Sequence, residues 1–239
     1  VTDMASLCYA VEKVVGSGVY GVGFDSRKGC QALAKAIEAG MSWLKCDVVD
    51  FGLTATPVLA FNINAKGLKA GFAVTASHNP PEYAGIKLLD EHGKEPPVEV
   101  ERRIETELKA APCNEPIEAC GSISSNGHGV DDYIESLIPI LPPTKKLFTV
   151  LVDCGNGASS NVTPKLLRKL GHRVLSIHSH PSWRFLGRWP EPTAEALRET
   201  SMLVRRWGVD FGVAHDGDGD RLVLISRDGE IIPDHILST

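Results

Sequence analysis

The sequence predicts an α/β protein composed of two similar three-layer α/β domains with mixed sheets. Two observations support this fold class. Short apolar runs rich in β-branched and aromatic residues alternate with longer segments in which apolar residues recur at helical spacing. The same order of strands and helices then occurs a second time along the chain, which indicates an internal duplication.

The first copy is predicted to begin with a strand that ends in a polar turn. Its strands are predicted at residues 20–24, 46–52, 71–75 and, together with a turn, 85–95. Its helices are predicted at residues 31–45, 56–66 and 98–111. Pro57 falls in the first turn of the second of these helices, where a residue without an N–H is tolerated.

The second copy repeats this order after a connecting helix predicted at residues 131–141. Its strands are predicted at residues 148–154, 172–179, 209–215 and, together with a turn, 221–232. Its helices are predicted at residues 163–171 and 193–208. Residues 71–95 and 211–231 correspond closely, each running from an apolar strand through a polar loop to a returning strand.

The domain boundaries follow from this pattern. Residues 1–128 are predicted to form the first domain, which is shortened at its N-terminus, and residues 129–230 the second. The segment 111–130 is rich in Pro, Ser, Gly and Asn and is predicted to be a loop near the boundary. Residues 231–239 resemble the start of a third domain, so the chain is expected to be a fragment.

Composition excludes several classes of partner. The formal net charge of −5 argues against a nucleic-acid-binding protein, which needs a basic surface. No apolar run reaches the ~20 residues of a membrane span, and no signal peptide is recognisable. The six cysteines form no C-x-x-C pair and are predicted to be reduced core residues. By elimination the sequence predicts a cytoplasmic protein, and it indicates no oligomeric state.

Three aspartates on alternate residues, Asp216, Asp218 and Asp220, indicate a metal site in the loop of the second copy. Their carboxylates repel one another, and a hard divalent cation with oxygen ligands relieves that repulsion. A calcium EF-hand loop does not fit, because Arg221 and Arg227 stand where glycine and a bidentate glutamate are needed. A solvated acidic turn is the alternative. We expect Mg²⁺ rather than Ca²⁺ at this site, because a phosphate is a favourable ligand for Mg²⁺.

Arg221 follows the aspartates directly and suggests a second anion at this site. A guanidinium matches the geometry of a phosphate, although a salt bridge to one of the aspartates is the alternative. The corresponding loop of the first copy supplies the candidate, because Ser77 would provide this anion if it were phosphorylated. The alternative for Ser77 is a cap or turn residue before Asn79 and Pro80.

Ser77 does not look like a hydrolase nucleophile. His78 is its neighbour in the chain and cannot easily hydrogen-bond the hydroxyl, and no G-x-S-x-G elbow is present. Lys87, in the returning strand, is a candidate proton-transfer group or else a surface lysine. Because ligands of α/β sheets bind at the carboxyl ends of the strands, the serine and aspartate loops are predicted to form one site shared between the domains.

Two turns that follow the first strand of each copy are weaker candidates. Arg27 is predicted to lie at the same edge of the sheet and could support a phosphate, but a structural Asp–Arg turn is an equal alternative. The turn at residues 153–157 lacks the G-x-G-x-x-G spacing and the lysine of a phosphate-binding loop. It is therefore predicted to be a helix-start turn.

Several motifs in this order resemble those of the α-D-phosphohexomutase superfamily, especially its phosphomannomutase/phosphoglucomutase branch. The resemblance covers nearly the whole chain. The motifs are GFDSR (23–27), TPVLAF (56–61), TASHNP (75–80), GIK (85–87), DCGNGAS (153–159), PEP (190–192) and DGDGDR (216–221). It implies domains I and II of a four-domain enzyme whose first three domains share one topology.

The resemblance also implies a reaction. Hexose 1-phosphate and hexose 6-phosphate, of mannose or glucose, would be interconverted through a phosphoserine at Ser77 and a hexose 1,6-bisphosphate intermediate, which also serves as activator. Mg²⁺ would be bound by the three aspartates and an oxygen of phosphorylated Ser77. His78 and Lys87 would transfer protons and orient the site. Arg221 would contact the phosphoserine, and Arg27 and Asn79 are further candidates for phosphate support.

Some family features are missing or changed. The early glycine-rich segment, the sugar-recognition loop of the third domain and the phosphate loop of the fourth are absent, so weak or no mutase activity is expected. Ala84, Trp189 and Thr193 replace residues that are often asparagine in the family. Phosphoglucosamine mutase and a metal-dependent sugar phosphatase remain alternative enzymes, and a metal- or sugar-phosphate-binding module is the non-catalytic alternative.

Overall fold

Two α/β units make up the chain, which the computed structural model describes for residues 2–110, 119–142 and 146–233. The first unit consists of Val1–Phe24, Gly29–Thr75 and Gly85–Gly129. The second consists of Val130–Thr239 together with two short segments, Asp25–Lys28 and Ala76–Ala84. The loop that carries Ser77 therefore packs as part of the second unit.

The first unit contains a five-stranded mixed sheet with the strand order β4-β3-β1-β2-β5. The strands are β1 Val19–Phe24, β2 Asp47–Leu53, β3 Ala70–Val74, β4 Ile86–Leu89 and β5 Ile123–Ser125. The helices are α1 Thr2–Val15, α2 Cys30–Trp43, α3 Thr56–Ala65 and α4 Val98–Ala110. All neighbouring strands run parallel except β4, which is antiparallel to β3.

Apolar side chains cover both faces of this sheet. Tyr20, Val22 and Phe72 on one face pack into a cluster with residues of α1 and α2. On the other face, Phe51 packs with Leu59 and other residues of α3. All five residues of β3 are buried, as expected for a central strand between two helical layers.

The second unit repeats this architecture. Its strands are β6 Thr149–Asp153, β7 Arg173–Ile177, β8 Phe211–His215, β9 Leu222–Ser226 and β10 Ile231–Ile232, in the order β10-β9-β8-β6-β7. Its helices are α5 Gly129–Leu137, α6 Thr163–Lys169 and α7 Arg198–Trp207, with 3₁₀ turns at Ile138–Ile140 and Ala158–Asn161. The order β9-β8-β6-β7 matches β4-β3-β1-β2, with the same parallel and antiparallel pairings. The predicted fold class is confirmed.

Three element predictions need correction. The segment 111–130 contains strand β5, whose backbone pairs with β2, and the N–H and hydroxyl of the preceding Ser122 both donate to the carboxylate of Asp47. Helix α7 begins at Arg198 rather than near residue 193, because Leu197 has a non-helical backbone (φ −89°, ψ 3°). Helix α5 begins at Gly129 and ends at Leu137, where a 3₁₀ turn takes over.

Several predictions concern the chain ends and the cysteines. Ile231 and Ile232 form β10 on the edge of the second sheet, while residues 234–239 of the predicted third domain lie outside the described residues. Four cysteines are reduced and buried, as predicted, whereas Cys120 is exposed and Cys113 lies outside the described residues. No helix in the described part of the chain is both long and apolar enough to cross a membrane.

Candidate active site

Ser77 lies in a tightly turned loop after β3. Its φ of 50° places it in the left-handed region, which non-glycine residues seldom adopt. The next residues form consecutive turns, in which Asn79 N donates to Ala76 O at 2.9 Å and Tyr83 N to Pro80 O at 3.1 Å. Such a backbone conformation persists only where the surroundings determine it, and Ser77 is itself buried.

Arg27 supplies those surroundings. Its guanidinium donates to four carbonyl oxygens of the serine loop, namely those of Ser77 (2.5 Å), Asn79 (2.7 Å), Pro80 (2.6 Å) and Tyr83 (3.3 Å). Its Nε donates to Asp25 Oδ2 at 3.0 Å, and both side chains are fully buried. All five N–H groups of the guanidinium are thus used. Arg27 thus holds the backbone of the serine loop.

The three aspartates lie in the loop between β8 and β9. Carboxylate oxygens of Asp216, Asp218 and Asp220 lie within 4.8 Å of one another, and the first two residues are buried. Glycine is needed between them, because a Cβ at Gly217 would lie 2.6 Å from Ser77 O. The two loops therefore touch through their backbones within the second unit.

Asp216 joins the two loops. Its Oδ2 accepts a hydrogen bond from Ser77 Oγ at 2.9 Å, and its Oδ1 accepts from the backbone N–H groups of Gly219 (3.1 Å) and Arg221 (3.2 Å). Burial, together with the negative charges of Asp218 and Asp220, raises the pKa of Asp216 to about 7. A cation among these carboxylates would relieve both the burial penalty and the repulsion.

The donor set fits a hard divalent cation. Three carboxylates and a serine oxygen are all oxygen ligands, which Mg²⁺ prefers. Among the described residues, no other cluster of three histidines, cysteines or acidic residues has this geometry. Strands rather than helices flank the loop, which agrees with the rejection of an EF-hand.

The remaining predicted site residues have different surroundings. His78 Nδ1 lies 3.4 Å from Ser77 Oγ, so the two neighbours do make a long contact, contrary to the expectation from their adjacency. Arg221 and Asn79 are exposed. Lys87 lies in β4 of the first unit, opposite Ala73 of β3.

An open cavity lies beside the serine loop in the second unit. It has a volume of about 570 Å³, and His78 and Pro80 line it together with Trp189 of the segment that leads into α7 and Glu199 of α7 itself. Cavities of this size are typical of small-molecule sites. The cavity therefore offers space for a small molecule next to His78.

The sequence interpretation missed a buried polar network at the end of β6. Asp153 accepts hydrogen bonds from Gly155 N (2.9 Å), His178 Nδ1 (3.0 Å), Arg188 Nε (2.9 Å) and Thr200 Oγ1 (2.6 Å). Burial alone would raise the pKa of the Asp153 carboxyl, but the bond from His178 and the charge of Arg188 outweigh it and hold the pKa well below its usual range. The position of Asp153 in the sequence could have indicated this network, because Asp153 ends β6 much as Asp25 follows β1, the equivalent strand of the first copy.

His215, the last residue of β8, forms hydrogen bonds on both ring nitrogens next to the aspartate loop. Its Nδ1 donates to Arg221 O at 3.0 Å, and its Nε2 lies 2.8 Å from Thr163 Oγ1. Burial lowers the pKa of His215, so the neutral ring donates at Nδ1 and accepts a hydrogen bond from the Thr163 hydroxyl at Nε2. The residue that precedes the aspartate loop is thereby bonded to the residue that follows it.

Comparisons with known proteins identify the family of the chain. Residues 5–114 match the family model for phosphoglucomutase/phosphomannomutase α/β/α domain I, and residues 131–229 match the model for α/β/α domain II. A crystal structure of a phosphoglucomutase/phosphomannomutase family protein from Burkholderia thailandensis superimposes with a TM-score of 0.84 at 26% identity. That superposition covers 96% of this chain and 51% of the other.

Sequence identity to curated relatives indicates the same family. A protein named "Probable phosphoglucosamine mutase" from Methanopyrus kandleri is 38% identical over 92% of this chain and 49% of its own length. A phosphoglucomutase/phosphomannomutase from Thermococcus kodakarensis is 38% identical over 88% of this chain and 47% of its own. The chain thus spans about half the length of these relatives. It belongs to the phosphoglucomutase/phosphomannomutase family, whose domains I and II it contains.

Proposed function

We propose that the chain carries the phosphoryl-transfer centre of a phosphohexomutase, which interconverts hexose 1-phosphate and hexose 6-phosphate through a hexose 1,6-bisphosphate. Ser77 is the phosphate carrier. One observation supports this above the others: Ser77 Oγ lies 2.9 Å from Asp216 Oδ2, at the edge of a cluster of three carboxylates. A serine beside carboxylates, rather than beside a base held by a third group, suits phosphate transfer better than acyl transfer.

Mg²⁺ would be held by Asp216, Asp218, Asp220 and an oxygen of phosphorylated Ser77. When bound, it neutralises the negative charge that builds up on the transferring phosphoryl group. The aspartates alone would repel a phosphoserine, so this reaction requires such a cation. The buried positions of Asp216 and Asp218 support strong binding, because water screens their charges little.

The chain's own residues would perform two reciprocal transfers. A hydroxyl oxygen of the hexose phosphate attacks the phosphorus of phosphorylated Ser77, and the bond from phosphorus to Ser77 Oγ breaks. The hydroxyl gives its proton to a base while Ser77 Oγ leaves with the bonding electrons and takes up a proton. His78, 3.4 Å from Ser77 Oγ, and Lys87 are the candidates for these proton movements. After the bisphosphate reorients, the reverse transfer from its other phosphate restores phosphorylated Ser77.

Arg221 would contact the phosphoserine, since its backbone N–H binds Asp216 while the residue itself is exposed. Arg27 is proposed to hold the loop rather than the phosphate, because its five N–H groups bind carbonyl and carboxylate oxygens. Asn79 stays a candidate for phosphate support. The substrate would enter from the cavity next to His78.

The sugar is proposed as a hexose phosphate of the glucose, mannose or glucosamine series. Relatives with the names phosphoglucosamine mutase and phosphoglucomutase/phosphomannomutase are equally similar to this chain, at 38% identity. A metal-dependent sugar phosphatase is the second candidate, because the same phosphoserine could transfer its phosphate to water.

The phosphoserine half-reaction tests the proposal directly. The 239-residue chain is incubated with Mg²⁺ and glucose 1,6-bisphosphate, and peptides that contain Ser77 are examined by mass spectrometry. We expect phosphate on Ser77, none in Ser77→Ala, and its discharge when glucose, mannose or glucosamine phosphate is added. Asp218→Asn should slow phosphorylation by more than the roughly 10–100-fold typical of losing an outer partner of a metal ligand.

Two outcomes would contradict the proposal. If Ser77 acquires no phosphate from any hexose bisphosphate in the presence of Mg²⁺, the phosphate-carrier role is wrong. If the phosphate is instead released as inorganic phosphate while no sugar bisphosphate forms, the chain is a phosphatase. Circular dichroism of each variant ensures that a lost signal does not come from unfolding.

A further inference from the structure

Asp153 and Arg188 form a buried ion pair at the carboxyl end of β6. Arg188 Nε lies 2.9 Å from Asp153 Oδ2, and the two side chains are 2% and 0% exposed. A buried pair of this kind often contributes little net stability compared with apolar residues of the same volume. The pair therefore needs an explanation other than packing, and its remaining contacts supply one.

The guanidinium of Arg188 points its other N–H groups at backbone carbonyls. Nη2 donates a short hydrogen bond to His215 O, and Nη1 donates to Trp189 O at 3.0 Å. The His215 carbonyl belongs to the peptide unit that enters the aspartate loop, so its position determines where Asp216 begins. The His215 ring in turn binds Arg221 O at the other end of that loop.

Asp153 keeps Arg188 in this orientation. Its two oxygens accept from four donors, so the carboxylate has no freedom to rotate. Thr200 of α7 provides the shortest of these bonds, at 2.6 Å. The turn after Asp153 also touches the aspartate loop, because Ala158 N donates to Gly217 O at 3.0 Å.

The first copy uses the same device. Asp25 follows β1 as Asp153 ends β6, and it holds Arg27, whose guanidinium binds the carbonyls of the serine loop. The serine and aspartate loops follow equivalent strands, β3 and β8. Two Asp–Arg pairs at equivalent positions, each with its guanidinium on the backbone of the equivalent loop, indicate that the pairs set loop geometry.

We infer that Arg188, oriented by Asp153, is a positioning residue for the aspartate loop: it fixes the His215 carbonyl and thereby the carboxylate of Asp216 relative to Asp218. This inference rests on the proposed function, because it takes the aspartate loop to be the Mg²⁺ site. In this role Arg188 acts through the carbonyl of His215, although it also lines the cavity next to His78.

Arg188→Lys tests the inference, because lysine keeps the positive charge but lacks the planar fork that serves Asp153 and His215 together. Mn²⁺ is the probe, and the electron paramagnetic resonance signal of free Mn²⁺ reports its binding to the 239-residue chain. We expect the affinity to fall about 10–100-fold, as for other outer partners of metal ligands. Hydrogen exchange of the metal-free chain, followed by mass spectrometry, should become faster in residues 215–220.

Val150→Ala is the matched control. Val150 is fully buried toward the other end of β6, where it pairs with Phe211 at the start of β8, so this variant lowers stability without disturbing the carbonyl of His215. We expect Val150→Ala to bind Mn²⁺ as the wild type does, with no selective increase of exchange in residues 215–220.

The outcomes separate the inference from the proposed function. Folded Arg188→Lys with wild-type Mn²⁺ affinity and wild-type loop exchange overturns the inference. If Arg188→Lys does not fold, Thr200→Val decides instead, because it removes one donor from Asp153 at nearly constant volume; unchanged affinity and exchange would then overturn the inference. If the wild type does not bind Mn²⁺, the proposed function loses its metal site, and loop exchange alone decides the role of Arg188.

Discussion

Gly157→Ala should displace the backbone of the aspartate loop, although Gly157 lies outside that loop. Gly157 has an extended backbone (φ −95°, ψ −170°) that alanine adopts without strain, so the effect is purely steric. A Cβ at this position would lie 2.4 Å from Gly217 O and 3.2 Å from Asp216 O. Because carbon and carbonyl oxygen normally approach to ~3.3 Å, the two loops must separate by roughly 0.9 Å.

That displacement sets the expected magnitude. Both partners are backbone atoms, so no side chain can rotate to relieve the overlap, and the loss of stability should be about 1–3 kcal/mol, as for other overpacked sites. The same shift moves the peptide between Asp216 and Asp218 and strains the bond from Ala158 N to Gly217 O. We therefore expect Mn²⁺ affinity to fall by about tenfold or more, as when an outer partner of a metal ligand is lost.

The assay combines urea unfolding with Mn²⁺ titration of the metal-free chain. Gly127→Ala is the control, because a Cβ there meets no atom of the described residues within 4 Å and should change neither quantity. If Gly157→Ala matches Gly127→Ala in both the free energy of unfolding and Mn²⁺ affinity, close contact between the two loops does not support the metal site, and the reasoning is wrong.

Two further predictions concern the Asp–Arg pairs. Asp153→Asn should lower the free energy of unfolding at neutral pH by roughly 3–5 kcal/mol, because Arg188 loses its buried counter-charge. The pKa of Asp153 is lower in the folded than in the unfolded state, so its contribution to stability is complete above the unfolded pKa of about 3.9 and is lost as the pH falls below it. The difference in free energy of unfolding between wild type and variant should therefore narrow in acid. A difference that stays constant from neutral to acidic pH in urea unfolding would contradict this. Arg27→Lys should destabilise the serine loop by about 2–3 kcal/mol, because the buried carbonyl of Ser77 and the partly buried carbonyls of Asn79 and Pro80 lose their donors. Hydrogen exchange by mass spectrometry should then become faster in residues 76–84, and unchanged exchange there would refute the role of Arg27.

The fold could be predicted from sequence because apolar periodicity decides it. The strands and helices of both copies are long enough to show their period, and the central strand of each copy is continuously apolar. Strand β5 was missed because its three residues, Ile123–Ser125, are exposed, and because the adjoining contact between Ser122 and Asp47 joins residues that are 75 positions apart. A non-local side-chain contact of this kind leaves no local pattern.

The candidate site, like the fold, could be predicted from the sequence only in part. The carboxylates could be predicted to meet Ser77 because their loops follow equivalent strands, and the structure brings Ser77 to Asp216. Arg188 could not be predicted, because it is 35 positions from Asp153 and lies in an irregular segment. The backbone of that segment includes His178 and Phe185 in the left-handed region, which depends on tertiary contacts rather than on residue type.

The duplication explains why two loops of different chemistry fit each other. An aspartate at the end of the first strand of each copy orients an arginine. Arg27 donates to backbone carbonyls of the serine loop, and Arg188 donates to the carbonyl of His215, at the start of the aspartate loop. Because the device acts on the backbone, the two loops can carry different side chains, a serine in one and three carboxylates in the other. A serine hydroxyl within hydrogen-bonding distance of a carboxylate requires both loops to keep fixed backbones. A change to either arginine should therefore disturb the contact between Ser77 and Asp216 without altering either of those residues.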